Sequence, residues 1–284
     1  MSTNGTNSSF EPLHKAHSIE QVSLAVVFAN EIGDEELKAA RKALGKPDEL
    51  PGHSEMRGMS FAFSAGTAAS AGAQVSGPAV GPAPSGYLFT RMRPDGTVES
   101  QLQVQKLAIA FITSSYTRWT DLSAQTRKYI DALLPIYAAG SEIAQVQLAY
   151  SDKFLSASAP QSSTPARILR EGSRYLAPTV FRAQNLWHCH TGTFERVSET
   201  VKRLRNVQVE FVSETRDEQE RGVLAIRTTL ADMYNQPDYK QSLFKPESAA
   251  QRVYETLQEL HTIDKEILRD ILTDEMARRI ALEA

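Results

Sequence analysis

Val201–Val212 reads VKRLRNVQVEFV and Val223–Leu230 reads VLAIRTTL. In the first stretch Val207, Val209 and Phe211 alternate with Gln208 and Glu210. A period of two places the apolar side chains on one face of a strand. Glu214–Arg221, between the two stretches, is almost all charged, which predicts a solvated hairpin end. From near Glu247 the period changes. Val253, Leu257, Leu260, Ile267 and Ile271 fall close to one helical stripe, and Thr273 restarts a short final helix. Strands followed by a long amphipathic helix specify an α+β protein, with a largely antiparallel sheet packed by helices.

Working towards the N-terminus, the same alternation recurs. Val22, Leu24 and Val26 alternate with Ser23 and Ala25 in a strand over 21–30. Asp34 caps a helix whose Leu37, Ala40 and Leu44 share a face, and Gly45 ends it. Met59–Ser64 reads as a short strand. Tyr87–Met92 and Val98–Thr113 read as a hairpin turned by Pro94-Asp95-Gly96. The second arm is alternating at Leu102 and Val104, then apolar on both sides from Leu107 to Ile112. A helix runs from Arg118 to Leu134, and Pro135 disturbs its last turn. In the strand Glu142–Phe154, Ala144, Val146, Leu148 and Tyr150 face one side and Gln145 and Gln147 the other. Asn185–Glu195 is a further strand, with Gly192 a bulge position.

Composition divides the chain as follows. Residues 1–17 are a polar, flexible tail. Residues 18–155 form an N-terminal α+β half, interrupted at 65–86 by a mobile loop of Ala, Gly, Ser and Pro. Residues 156–164 are a polar linker. Residues 165–284 form a C-terminal α+β half closed by the long helix. There Thr164-Pro165 starts a short helix that Gly172 ends. The loose echo between the halves reads as two related sub-domains.

The 284 residues carry a net charge of −3 and a single cysteine, Cys189. No internal disulfide can form, so a reducing, cytoplasmic setting is expected. No apolar run approaches the roughly 20 residues of a spanning helix, so no membrane is expected. The slight negative charge argues against a general nucleic-acid binder.

Trp187-His188-Cys189-His190 is the sharpest local cluster. On a strand His188 and His190 point one way, the start of a zinc site that needs a third ligand such as Glu195 or His261. Two ligands are not a site, so no metal and no cofactor are expected. Cys189 falls beside Trp187 on the opposite, core side. His14 and His17 read as solvated, and His261 as half-buried with a hydrogen-bond partner. No phosphate-binding glycine loop, nucleophile elbow or His-Glu-x-x-His occurs, so no catalytic residue is assigned.

Two polar sets remain. Gln101, Gln103, Gln105, Gln145 and Gln147 recur at period two on two strands. If those faces align in one sheet they form a neutral surface that can donate and accept hydrogen bonds. Arg167, Arg170 and Arg174 share a face of the short helix, and Lys202, Arg203 and Arg205 gather near the next strand. Both cationic sets are candidates for binding phosphate or an acidic partner.

Four segments resemble a sporadically distributed family of bacterial proteins that has no assigned activity. They are Ser18–Phe28, Tyr116-Thr117-Arg118-Trp119-Thr120-Asp121-Leu122, Ile143–Leu155, and Leu257-Gln258-Glu259-Leu260-His261 leading to Ile271–Asp274. Members of that family carry an Arg-x-Gly-Leu-Arg-Tyr-like strand. Here the matching Gln145–Tyr150 lacks the arginines. The resemblance implies a bacterial protein, and the family's patchy occurrence implies an accessory role in a mobile or defence locus. The expectation is a non-enzymatic binding or assembly protein with a protein partner or a second copy of itself. The alternatives are an enzyme or phosphate-ligand protein using the arginines, with His188 or His190 as base, and a nucleic-acid binder using Lys202 and Arg203.

Overall fold

The structure is a computed structural model that describes residues 10–57, 84–216, 218–241 and 246–282, leaving aside the side chains of 246 and 247. β1 (Phe10–Pro12) and β2 (Ile19–Phe28) lead into α1 (Asp34–Leu44). β3 (Gly52–Met56), β4 (Gly86–Met92), β5 (Val98–Gln105) and β6 (Ala108–Thr113) precede α2 (Trp119–Ala138) and β7 (Ile143–Ser156). Three short 3-10 turns then lead to β8 (Trp187–Arg196), β9 (Val201–Arg216) and β10 (Gln219–Tyr234). α3 (Pro246–Ile271) and α4 (Asp274–Arg279) close the chain.

The fold is α+β, as the periodicities require. The strands among the described residues join one ten-stranded sheet in the order β3-β4-β5-β6-β2-β7-β10-β9-β8, with β1 beside β7. Every pairing is antiparallel. One face carries the main core. Tyr137 of α2 stacks on Phe28 of β2 at 4.5 Å, and Tyr129 lies 5.5 Å from Phe111 of β6. The predicted stripe of α3 seals against β7 and β10: Val253, Leu257, Leu260, Ile267 and Ile271 are all buried. Thr273 caps α4 by accepting a hydrogen bond from the Met276 backbone N–H, as its position predicts.

The halves are not separate units. β10 pairs with β7 from Val223↔Leu155 to Met233↔Gln145, so the sheet runs unbroken across the expected linker at 156–164. One core cluster contains residues from Phe10 to Leu282. Continuous pairing and a shared core bind the halves more strongly than composition alone suggests.

Several local readings also change. Residues 10–17 are not a free tail: Phe10 pairs with Ser156 and packs its ring 6.2 Å from Phe211. Val98–Thr113 is two strands, because the chain reverses at Lys106-Leu107 and Leu107 is exposed. α2 runs through Pro135 to Ala138. The charged segment Glu214–Arg221 is mostly strand, since its polar side chains sit at the wet end of a ladder that pairs up to Arg216↔Gln219. Gly192 sits opposite Asn206 without a bulge. Only a 3-10 turn, Pro165–Arg167, forms where a short helix is expected, because Leu169 bridges to Leu272 and the Arg170 N–H bonds the Ile271 carbonyl. The predicted strand Met59–Ser64 and most of the loop 65–86 lie outside the described residues.

A shared sheet and core predict one cooperative transition. Trp119 reports on α2 and Trp187 on β8, one in each half of the chain. Urea unfolding followed by tryptophan fluorescence and by far-UV circular dichroism is expected to give coincident curves. Staggered curves would restore the two sub-domains.

Candidate functional site

Register alone places the glutamines. Reading across the strands, one row runs Leu88, Gln103, Ala110, Ala25, Gln147, Ala231, Leu204, Phe194. Directly opposed residues share a face, so this row lies on the face opposite Phe28, Phe111 and Leu148. The next row is Gln101, Ile112, Ser23, Ala149, Thr229, Asn206. Strand alternation thus brings all five glutamines to one face, as predicted.

They do not form one continuous patch, because β6 and β2 lie between β5 and β7. Gln103 and Gln147 sit three strand spacings apart, about 14 Å. The floor between them is small: Ala110 and Ala25, with Ser23 beside them. Each bank is internally bonded. Gln105 Nε2 donates to Gln103 Oε1 at 3.1 Å, and Gln145 Nε2 donates to Gln147 Oε1 at 2.9 Å. Gln103, Gln105 and Gln147 are buried, while Gln101 and Gln145 are half-buried. One bond per pair leaves amide donors and carbonyl acceptors on both banks. The result is a neutral trough with hydrogen-bonding walls, in which Ala25 and Ala110 are only 1% exposed and the half-buried positions include Ser23, Gln145, Ala149 and Thr229.

The arginine sets behave differently. Arg170 pairs with Asp274 at 2.6 Å, and Arg174 with Asp270 at 3.1 Å, so both tie the 165–174 segment to the end of α3 and to α4. Arg167 closes the 3-10 turn and shares no helical face with them. Arg203 is buried. Its guanidinium grips Asp232 through two bonds of 2.6 and 2.8 Å and reaches Glu259 at 2.7 Å. Burial opposes its charge, but these bonds outweigh burial and raise its pKa. Arg205 holds Glu195 at 2.8 Å, and the Lys202 ammonium lies 4.6 Å over the Phe194 ring. With Arg170, Arg174, Arg203 and Arg205 each held by a carboxylate, these sets offer little to an incoming phosphate.

His188 and His190 are exposed on the trough face, and His190 bonds Asn206. Glu195 projects to the other face, where Arg205 holds it, and His261 lies on α3 above that face. Neither proposed third ligand converges on the histidines. Among the described residues no group of three His, Cys, Asp or Glu side chains is placed to hold a metal ion. Cys189 is buried with its thiol 3.5 Å from the Tyr175 carbonyl, on the core side as alternation requires. His14 is exposed. His17 is half-buried against Tyr116, with its pKa lowered chiefly by burial.

His261 bonds the Tyr150 hydroxyl through Nδ1 at 3.0 Å and stacks on Trp119 at 4.4 Å. Burial, and then Lys265, push its pKa down to about 4, so it is neutral at pH 7. Beneath it lies a cluster that sequence reasoning missed. Asp152 and Asp264 are 0% and 2% exposed. Ser18 Oγ donates to Asp152 Oδ1 at 2.6 Å, and Thr228 donates to Asp264 Oδ1. Among the described residues Asp152 Oδ2 has no hydrogen-bond partner. Burial raises the pKa of both carboxyls, and the charge of Asp152 adds to the rise at Asp264. The signal was present: Asp152 continues the inward series Val146, Leu148, Tyr150, and Asp264 sits four residues after Leu260.

No protein-family model and no curated protein matches this chain.

Two predictions follow from the buried charges. Unfolded aspartates titrate near 4, and the folded pair titrates higher, so the folded state holds extra protons between the two values. Stability should therefore fall as pH rises from about 4 through neutrality. Asp152→Asn should flatten that slope and raise the urea midpoint at pH 8; an unchanged slope would refute the account. Arg203→Met leaves Asp232 buried and unpaired and should cost about 3–5 kcal/mol. Arg170→Met, at a partly exposed pair, should cost no more than about 1 kcal/mol. Equal urea midpoints for these two variants would contradict the burial argument.

Proposed function

We propose that this protein is a non-enzymatic binding protein that takes a neutral peptide segment of a protein partner along the glutamine-walled trough. The carrying observation is the row from Gln103 through Ala110 and Ala25 to Gln147, two amide banks about 14 Å apart with the sealed Ala110 and Ala25 between them. A peptide chain offers both N–H and C=O groups, which the spare amide donors and acceptors match. The half-buried Ser23, Ala149, Thr229 and Gln145 are the positions where an extended peptide would meet this face.

The disposition of the reactive groups supports a binding role. The buried aspartates, His261 and Arg203 each satisfy another group within the fold. Among the described residues no helix is long and apolar enough to cross a membrane. The likeness to a bacterial family in Tyr116–Leu122 and Leu257–His261 accords with an accessory protein and brings no activity with it.

A photo-crosslinking residue at Thr229 or Gln145, both half-buried on the trough face, should capture the co-purifying partner. The same residue at Glu266, exposed on α3, should not. Gln145→Arg should abolish capture from Thr229 while leaving the fold intact. Capture from Glu266 alone, or undiminished capture in Gln145→Arg, would overturn the proposal.

A further inference from the structure

A concavity lies on the other face of the sheet, between the last turns of α1, the connection 45–51 and the paired strands β3 and β4. It encloses about 540 Å³, within the size range of small-molecule pockets. Its floor is apolar: Leu50, Tyr87 and Phe89 all line it and all are buried. The exposed His53 ring lies 6.5 Å from Phe89 at an interplanar angle of 31° and forms the rim.

Its wall is cationic. Lys38, Arg41, Lys42 and Lys46 line it, and among the described residues no aspartate or glutamate does. Glu35 neutralises Lys38 at 2.6 Å. Arg41 lies 5.1 Å over the Tyr87 ring and contacts His53 Nε2 at 3.1 Å, so it is held in place by aromatic groups and not by a carboxylate. Lys42 and Lys46 are exposed and, among the described residues, make no ion pair. The negative end of the α1 dipole favours Arg41 and Lys42 in its last turn. It does not account for Lys46, which lies beyond the capping Gly45. Nor does it explain why a chain of net charge −3 leaves three cations uncompensated around an aromatic floor.

We propose that this cleft binds a phosphorylated small molecule of nucleotide size. Its planar ring lies against the exposed His53 ring at the rim, and its phosphates meet Arg41, Lys42 and Lys46. Lysine and arginine supply charge-assisted bonds to phosphate oxygens, and aromatic faces accept a flat ring. The site is separated from the trough by the sheet itself, so either can fail without the other.

Calorimetric titration of the full chain with ATP at low ionic strength tests this. Saturable one-site binding is expected, weakened at least about tenfold in the double variant Lys42→Ala/Lys46→Ala. Both lysines are exposed, so that variant should keep the circular dichroism of the parent. His53→Ala should weaken ATP but not inorganic tripolyphosphate, and tripolyphosphate should bind more weakly than ATP. No saturation by about 1 mM ATP, or an unchanged affinity in the double variant, would overturn the proposal. Equal binding of tripolyphosphate and ATP would overturn the assignment of the ring. A single-stranded oligonucleotide that binds tightly and is not displaced by ATP would overturn a small-molecule site in favour of a nucleic-acid surface.

Discussion

The antiparallel seam between β7 and β10 is where the two halves of the chain become one protein. β7 has β2 and β1 on one side and β10 on the other. Its inward residues Val146, Leu148 and Phe154 are fully buried. Antiparallel strands tolerate no slip of one residue, because such a slip turns every side chain to the other face. The polar groups make that constraint tighter. Thr228 must meet Asp264, and Asp232 must meet Arg203, on the face that α3 covers. A slipped β10 would place Ala231 or Thr229 beneath α3 and turn Asp232 away from its arginine. Hydrophobic burial supplies the drive for this seam, and the charged and hydroxyl partners help select its register.

That seam also decides what each face can do. Alternation gives the helix-covered face the main core and leaves the second face, along the central strands, to Ala25, Ala110, Ala149 and Ala231 flanked by glutamines. Ala25, Ala110 and Ala231 are sealed, so binding there must come chiefly from hydrogen bonds. The cationic cleft works by the opposite logic, with strong charges at the rim of an oily floor. The two surfaces therefore suit ligands of different chemistry.

Much of the fold was legible because its periods are clean. The stripe of α3, the alternation of β2, β7 and β9, and the turn at Asp95-Gly96, where Asp95 accepts from Thr97 and Gly96 takes φ of 84°, all follow from local rules. Strand order was not legible, since nothing local says that β2 and β6 insert between β5 and β7. That hid the trough: the glutamines could be placed on a face but not spaced. The arginine sets misled for a related reason. Apart from Glu195, ten residues from Arg205, their carboxylates, Asp232, Glu259, Asp270 and Asp274, lie at least 29 residues away in sequence. The cleft was missed because it needs α1, a loop and β4 together. Asp152 was readable as a charge at an inward position and was passed over.

The central place of β7 has a consequence for the chain as it leaves the ribosome. By the time residue 156 emerges, β2 can already pair with one side of β7, but β10 lies more than sixty residues further on. Until then the other side of β7 is an open row of amide and carbonyl groups beside an unsealed oily surface, and α3 is not yet made. Such an edge invites pairing with other nascent chains. The inner strand of the finished sheet is thus an edge strand until β10 is made, and synthesis speed through residues 157–234 sets how long that hazard lasts.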